Sequence, residues 1–312
     1  MSNSSTPYDD AFRTLLTDCS RLIIPLVNVM FDSNYSMDDA VSLFQNESFI
    51  TAGNQQKKIT DSNFSIGKNS KYRYHIECQS SADGTIIVRV FEYATQIAIS
   101  TAVSERDTTI FDLPRSGILY LRSNSNTKEH TIVVNAPNGK SLSYTVPIVK
   151  VKDYSLDQML NERLWFLIPF YFFNFDLNDM DMSEDKIEEM KETYKLLWSR
   201  LDEIVDGGKL TEFEKCAIKA MCDQVAEALS LTHSNVKKGV MEIMGGQVLD
   251  YEAKRIAKKA AEQAAEQSEI SAIINMISFG VSEDKILSKY SKDTYDKALN
   301  QMKQAEEELK EM

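Results

Sequence analysis

The chain has 312 residues, of which 43% are hydrophobic and 26% charged, and it carries a net charge of −12. This composition is that of an ordinary soluble globular protein, and the chain is long enough to bury a sizeable core and to divide into two units. Residues 1–10 are polar and acidic, which differs from the basic and then apolar layout of a secretory signal. We therefore expect a cytoplasmic protein.

The cysteines and the longest apolar run exclude two further classes of protein. The four cysteines form no CxxC pair and have no histidine at zinc-finger spacing, so we expect reduced, packed thiols. The apolar run 165–173 is far shorter than the ~20 residues that a bilayer span requires. Pro169 also interrupts it. The run predicts a core segment, and we expect no membrane partner.

The negative charge is unevenly distributed along the chain. Residues 1–150 hold 14 Lys+Arg against 15 Asp+Glu, net −1, whereas residues 151–312 hold 21 against 32, net −11. Because phosphate contacts need lysine and arginine, an evenly acidic chain would disfavour a nucleic-acid partner. The first half is near neutral, so its charge does not disfavour a nucleic-acid partner.

Helical and strand patterns alternate in the first half. Apolar residues between 8 and 30 recur at helical spacing, which predicts an amphipathic helix that Pro25 kinks or ends early. Strand patterns follow, and the runs 59–66 and 71–79 predict a hairpin around turn residues 67–70. The same signals predict a helix over 84–99, a strand over 117–121, and a hairpin of strands 131–134 and 142–146.

The pattern becomes helical from residue 153. Thr211 and Glu214 have the spacing of a capping box. The acidic residues from Asp176 to Glu189 lack the glycine and spacing of an EF-hand, so they predict a solvated helix start. The predicted helices cover 156–173, 183–205, 211–231, 248–277, 282–290 and 292–311.

These patterns divide the chain into a core over 1–152, an acidic helical region over 153–246 and a helical tail over 247–312. The end of the tail has the spacing of a helix-turn-helix. Residues 283–312 nevertheless hold 6 Lys+Arg against 8 Asp+Glu, a poor charge for entering a DNA groove. We expect these helices to pack together or to form a homo-oligomer.

The strand 71–79 carries the candidate chemistry. Tyr72, Tyr74, Ile76 and Cys78 alternate with Lys71, Arg73, His75, Glu77 and Gln79, which predicts one buried and one solvent-facing side. In the predicted hairpin the numbers of opposed residues sum to about 138, so Phe64 faces Tyr74 and Asp61 faces Glu77. Two carboxylates this close are a candidate site for Mg²⁺ or Mn²⁺. The alternative is that they are ordinary solvent-facing positions, with His75 at the surface.

Four short segments, in this order, resemble the PD-(D/E)XK nuclease-family transposases of bacteria, which are related to the recombination-promoting nucleases. The core resemblance covers about residues 8–125, and 164–173 and 239–253 resemble the helical continuation of that group. The segments are YDDAFR at 8–13, Ile59-Thr60-Asp61, Glu77-Cys78-Gln79-Ser80 and RVFEYATQ at 89–96.

The resemblance implies an α/β (α+β) restriction-endonuclease-like core. This is a mixed sheet flanked by helices, in the order helix, three strands, helix, strand, and here an all-helical C-terminal region follows. It implies that Asp61, Glu77 and Asp9 bind Mg²⁺ (or Mn²⁺), with the Cys78 carbonyl as a further ligand. Gln79 stands at the position of the motif's lysine, and Thr60 replaces its proline.

The resemblance also implies contacts with nucleic acid. The candidate nucleic-acid-binding residues are Arg13, in the first of the four segments, and Arg89 and Tyr93, which are one helical turn apart and could contact a phosphate. An Arg and a Tyr at this spacing also serve as a packed pair that closes a helix over a sheet, and the sequence leaves both roles open.

We expect a Mg²⁺-dependent DNA endonuclease in which the acidic helical region restricts the activity, within a bacterial mobile element or a defence system. The alternative is a catalytically inactive relative that keeps the fold in order to bind nucleic acid or protein.

Overall fold

A computed structural model describes residues 6–44, 62–68, 72–80, 84–244 and 247–311. It contains one six-stranded mixed sheet flanked by helices, and the chain after this sheet is helical. The residues form two compact units, Met1–Leu249 and Asp250–Met312. The predicted boundary at 152 falls inside the first unit, and the boundary predicted at 246 lies close to the division between the two.

The regular elements are, in chain order, α1 (Pro7–Asp18), α2 (Ile24–Phe31), β1 (Val41–Leu43), β2 (Phe64–Ile66), β3 (Tyr74–Gln79), α3 (Ile86–Ser100), β4 (Val103–Glu105), β5 (Thr108–Ile110), β6 (Arg115–Tyr120), β7 (Glu129–Asn135), β8 (Ser141–Lys150), α4 (Leu156–Asn161), α5 (Leu177–Asp181), α6 (Glu184–Asp206), α7 (Glu212–Ser230), α8 (Ser234–Met244), α9 (Gln247–Ser278), α10 (Glu283–Leu287) and α11 (Lys292–Glu311). Short 3-10 helices cover Ser20–Ile23, Val151–Asp153 and Trp165–Asn174.

The large sheet has the strand order β1-β2-β3-β6-β8-β7. Its three central strands, β3, β6 and β8, are parallel, and the outer pairs are antiparallel. The predicted register is confirmed where it can be read, because Phe64 of β2 lies opposite Tyr74 of β3. The hairpin of β7 and β8 is also confirmed, and Gly139 takes a positive φ of 77° in its turn.

Helices cover both faces of the central strands. On one face α2 packs so closely that a Cβ on Gly117 would lie 2.2 Å from the Met30 sulfur. On the other face α3 packs on β6, with Val90 and Ile118 in one apolar cluster. Parallel strands are usually buried on both faces in this way. The prediction that β3 has one solvent-facing side is therefore wrong, since His75 is 0% exposed and Glu77 3%.

The N-terminal segment differs from its prediction as a single helix. The first helix ends at Asp18, and the chain bends by 112° before it continues as Ser20–Phe31. Pro25 does not cause this break. It lies in the first turn of α2, where its missing N–H costs no helical hydrogen bond.

The helical region is anchored on the first helix. Phe12 of α1 meets Phe166 with ring centroids 5.1 Å apart, and Tyr8 meets Phe173 at 5.0 Å. Helices α6 and α7 confirm their predictions, including the capping box of Thr211 and Glu214. The helix predicted over 156–173 is instead α4 followed by the 3-10 segment that contains Pro169.

Three predictions about packing are confirmed. The side chains of Trp165 and Phe166 are buried, as a core segment requires. All four cysteines are free and buried. The acidic segment begins a solvated helix as predicted, because the exposed Asp176 side chain accepts from Asn178 N and Asp179 N and caps α5.

The second unit has its own small core. Ile270 and Ile273 of α9 pack with Ile286 of α10 and with Tyr295 and Ala298 of α11. The final pair of helices is thus confirmed, whereas a homo-oligomer stays a prediction. Among the described residues, no single helix is long and apolar enough to cross a bilayer, and only the bent pair of Pro7–Asp18 and Ser20–Phe31 reaches that length and composition together.

Candidate functional site

Glu77 lies at the centre of a polar cluster on the face of the sheet that α3 covers. Its side chain is 4% exposed, and Oε1 lies 2.9 Å from His75 Nε2. Arg89 of α3 approaches from the other side, with Nε 3.8 Å from Oε2. That distance is beyond a hydrogen bond, so the Arg89 contact is electrostatic only. The carboxylate is therefore oriented on one oxygen and more loosely held on the other.

A short hydrogen-bonded chain fixes this orientation. The parallel register places Ser116 of β6 beside His75, and Ser116 Oγ lies 3.2 Å from His75 Nδ1. With the ring proton on Nε2, the neutral imidazole donates to Glu77 and accepts from the Ser116 hydroxyl. Every group in this chain then has a partner.

Serine, histidine and glutamate in a row raise the alternative of a nucleophilic triad. Such a serine must reach a substrate carbonyl, and the base must exchange protons with that substrate. Ser116 is 4% exposed and His75 0%, and the Tyr93 ring lies edge-on against the imidazole with centroids 5.9 Å apart. The row is therefore a support for Glu77 and not a nucleophile.

The two α3 residues predicted to bind nucleic acid lie on this polar face. Tyr93 is 5% exposed and packs on His75. Arg89 donates a hydrogen bond through Nη2 to Gln79 Oε1 and faces Glu77. Both side chains thus pack α3 against β3. A phosphate contact stays a prediction, and it fits Arg89 better because its side chain is 32% exposed.

At the edge of β3 that lies next to β2, Ser62 extends the register of the predicted hairpin. Its Oγ accepts from Ile76 N at 2.7 Å and donates to Ile76 O at 3.0 Å. Residues 62 and 76 again sum to the 138 of the Phe64–Tyr74 pair. Asp61, the predicted partner of Glu77, lies outside the described residues.

Asp9 and Arg13 belong to α1. The Asp9 carboxylate accepts from Thr6 N at 3.0 Å and completes the capping box of this helix. This role accounts for an acid at that position without a metal. Within the part of the chain that the structure describes, no three His, Cys, Asp or Glu side chains are grouped so that they could hold a metal ion.

Gln79 begins a row of polar residues at the carboxyl ends of the parallel strands. It is paired across the sheet with Tyr120 of β6, and Tyr120 with Lys150 of β8. Residues paired in this way project to the same face. Ligands of open α/β sheets bind beyond the carboxyl ends of such strands.

Sequence reasoning missed two members of the site and misplaced a third. Ser116 and Lys150 drew no attention, because their places depend on the pairing of strands that are not consecutive in the chain. His75 was expected at the surface, and this prediction is wrong. Its position two residues from Glu77, on the same side of a strand, was the available signal.

No family model matches the chain, and comparisons with curated proteins and with solved structures also find no match.

Proposed function

We propose that the chain is a Mg²⁺-dependent DNA endonuclease of the PD-(D/E)XK transposase and recombination-promoting type, acting in the bacterial cytoplasm. One observation carries the proposal. Glu77 and Gln79 share the polar side of β3, within the order helix, three strands, helix, strand that this fold requires. The small hairpin β4–β5 is an insertion between α3 and β6 in that order.

The donor chemistry fits a hard cation. Glu77 offers a carboxylate and Gln79 an amide oxygen, and Mg²⁺ and Mn²⁺ prefer oxygen ligands. No hydrogen bond from a described residue reaches Glu77 Oε2, which leaves capacity on that atom. By the resemblance, Asp61 and Asp9 complete the set. Such an ion, when bound, stabilises charge on phosphate oxygens and lowers the pKa of the attacking water.

The protein's own residues have separate tasks in this proposal. The pair of His75 and Ser116 orients Glu77, as supporting partners of metal ligands commonly do. Gln79 carries no charge and cannot act as a base near neutral pH, so it positions water by hydrogen bonding. The Arg89 side chain, about one third exposed, is available to a phosphate of the substrate once it leaves Gln79.

A second candidate is a nuclease-fold protein without catalysis, which binds nucleic acid or protein. It is favoured by the way Arg89 faces both Glu77 and Gln79, because a cation of the protein then compensates the carboxylate. The capping role of Asp9 points the same way. Divalent-ion binding separates the two candidates.

The deciding experiment measures binding and cleavage on the same protein. We expect Mg²⁺ and Mn²⁺ to raise the melting temperature and to support cleavage of plasmid DNA, and chelator to reverse both effects. Single-stranded DNA and RNA substrates would define the specificity. If neither ion changes the melting temperature and no nucleic acid is cut, the second candidate replaces the first.

A further inference from the structure

A second polar site lies beyond the carboxyl ends of β6 and β8. A cavity of about 290 Å³ opens there, next to the row of Gln79, Tyr120 and Lys150. Its polar lining consists of Tyr120, Ser123, Ser125, Thr127, His130 and Lys150. Lys150 was not among the residues that the sequence singled out.

Lys150 is the unusual member of this lining. It is the last residue of β8 and only 4% exposed. Lysine is almost never buried to this degree unless an anion pairs with it, because removing an ammonium group from water is costly. Among the residues that the structure describes, no carboxylate forms an ion pair with Lys150 and no acceptor forms a hydrogen bond with its side chain. Within the described part of the chain, the ammonium group of Lys150 therefore has no partner.

Hydroxyl groups surround the same cavity. Ser125 Oγ donates to Thr127 Oγ1 at 2.9 Å, so the Thr127 hydroxyl keeps its own proton to donate elsewhere. Ser123 Oγ accepts from Ser125 N at 3.3 Å and likewise keeps its proton. Two hydroxyl donors and one ammonium group can thus point toward a single acceptor-rich ligand.

The charge around the cavity favours an anion. None of the described lining residues is acidic. A neighbouring cleft of about 420 Å³ shares Ser123 and adds Arg122 and Lys152. Gly84, which immediately precedes the N-cap Thr85 of α3, also lines the first cavity. The N-terminal end of a helix carries a partial positive charge that attracts anions.

We propose that the cavity around Lys150 binds a phosphate group. Phosphate supplies the negative charge that Lys150 lacks and accepts hydrogen bonds from Ser123 and Thr127 at the same time. The group can be free phosphate or the terminal phosphate of a nucleic-acid strand. Binding at this site is independent of cleavage, so it stands whether or not the proposed nuclease activity is found.

The test titrates inorganic phosphate into the full chain without divalent ions, by calorimetry and by melting temperature. We expect saturable binding at one site and a rise in melting temperature. Lys150→Met keeps the length and apolar stem of the side chain and should weaken binding at least tenfold. Without phosphate the variant should melt no lower than the wild type, because it removes a buried charge that has no partner.

Three further arms keep the test decisive. Lys140→Met, at the exposed turn between β7 and β8, should bind phosphate as the wild type does. Thr127→Val, at an exposed position that tolerates change, should weaken binding at least threefold even if Lys150→Met fails to fold.

A 5′-phosphorylated oligonucleotide that binds tenfold tighter than its 5′-hydroxyl form assigns the phosphate to a strand end, and equal binding of the two assigns it to free phosphate. Absence of phosphate binding by the wild type, or equal binding by Lys150→Met, overturns the proposal.

Discussion

The polar face of β3 and the junction between the 3-10 helix Ser20–Ile23 and α7 each bury a glutamate beside an arginine, but the hydrogen bonds to the two carboxylates differ. Glu77 is 3% exposed and Glu214 5%. At the junction, Arg21 donates to both Glu214 oxygens, from Nε at 2.5 Å and from Nη2 at 2.6 Å. On the polar face, Arg89 Nε stays 3.8 Å from Glu77. One carboxylate is saturated by the protein, and the other keeps capacity for a ligand.

The surroundings of Glu214 explain its saturation. Besides Arg21, it accepts from Thr211 N and Thr211 Oγ1, each at 2.8 Å, as part of the α7 capping box. Burial favours the protonated acid, but the hydrogen bonds from Arg21 and Thr211 outweigh it and hold the pKa of Glu214 below its usual value. Burial beside an arginine therefore does not by itself identify a functional carboxylate. A buried carboxylate is a better candidate when one of its oxygens has hydrogen-bonding capacity that the protein does not use.

The largest expected effect comes from Glu77→Gln. This change keeps an acceptor for His75 but removes the charge that a divalent ion needs, so cleavage should fall by at least about a thousandfold. The melting temperature without metal should stay close to that of the wild type. The glutamine still accepts from His75, and Arg89 Nε at 3.8 Å forms no hydrogen bond with Glu77 that could be lost. Asp61→Asn should behave in the same way. Cleavage and melting curves on the same preparations check both, and full activity in Glu77→Gln would remove the site.

Gln79 gives the next largest effect. Gln79→Leu removes the amide that positions water and frees Arg89 to move, so we expect a loss of about a hundredfold in cleavage rate. Gln79→Lys places a lysine where the motif that the sequence resembles has one, and under the proposed function it should leave Mg²⁺-dependent activity measurable. Single-turnover rates separate the two variants. Equal rates for leucine and glutamine would make Gln79 a packing residue only.

At the junction the expected effect is on stability instead of activity. Glu214→Gln weakens the hydrogen bonds from Arg21, and a charged hydrogen bond of this kind contributes about 2 kcal/mol. Activity per folded molecule should be unchanged. Denaturant unfolding of this variant beside Glu77→Gln gives a matched comparison of two neutralised buried glutamates. Equal destabilisation of both would break the distinction between the two regions.

The junction also predicts a pH dependence. Because the pKa of Glu214 is lowered in the folded state, its contribution is present above the unfolded value near 4.5 and is lost as pH falls through the lower folded value. The stability difference between wild type and Glu214→Gln should therefore be constant near neutral pH and shrink below pH 4.5. Melting temperatures at a series of pH values measure it.

Local patterns predicted much of the fold. The apolar period over Ser183–Val205 and the strand pattern of the hairpin 131–134 and 142–146 each fix an element from neighbouring residues alone, and both are confirmed. The register of Phe64 with Tyr74 follows from a short turn and the two-residue period of strands. The predicted Asp61–Glu77 pair depends on the same rule.

The parts that failed depend on packing between distant segments. The alternation around His75 identifies a polar side of β3 but cannot tell that α3 covers it. Ser116 and Lys150 reach the site only through the parallel pairing of β3, β6 and β8. The chain reaches β6 from β3 through α3, and β8 from β6 through β7. No period in the sequence encodes either parallel register.

The smallest expected effect comes from the charge of the acidic helical region. The question is whether this region lowers DNA affinity in addition to stabilising the fold. Its residues, 153–246, belong to the same compact unit as the sheet and hold 10 Lys+Arg against 19 Asp+Glu, and this net charge of −9 should repel a phosphate backbone. Asp181 is a poor site for the test, since it accepts from Asn235 N and Val236 N at the start of α8.

Asp185 and Glu189 are exposed, so we would change both to lysine. Each unit charge at about 10 Å in water contributes some 0.4 kcal/mol, and the two substitutions change the charge by four units. DNA affinity at low salt should therefore rise on the order of tenfold, and the gain should vanish at high salt. Lysine at Glu262 and Glu269 in the second unit gives the same net charge and is the matched control. If that control gains as much affinity, net charge alone is responsible. If Asp185→Lys with Glu189→Lys gains no affinity at low salt, the helical region does not restrain the proposed nuclease site, and its contribution is limited to stability through the Arg21–Glu214 junction.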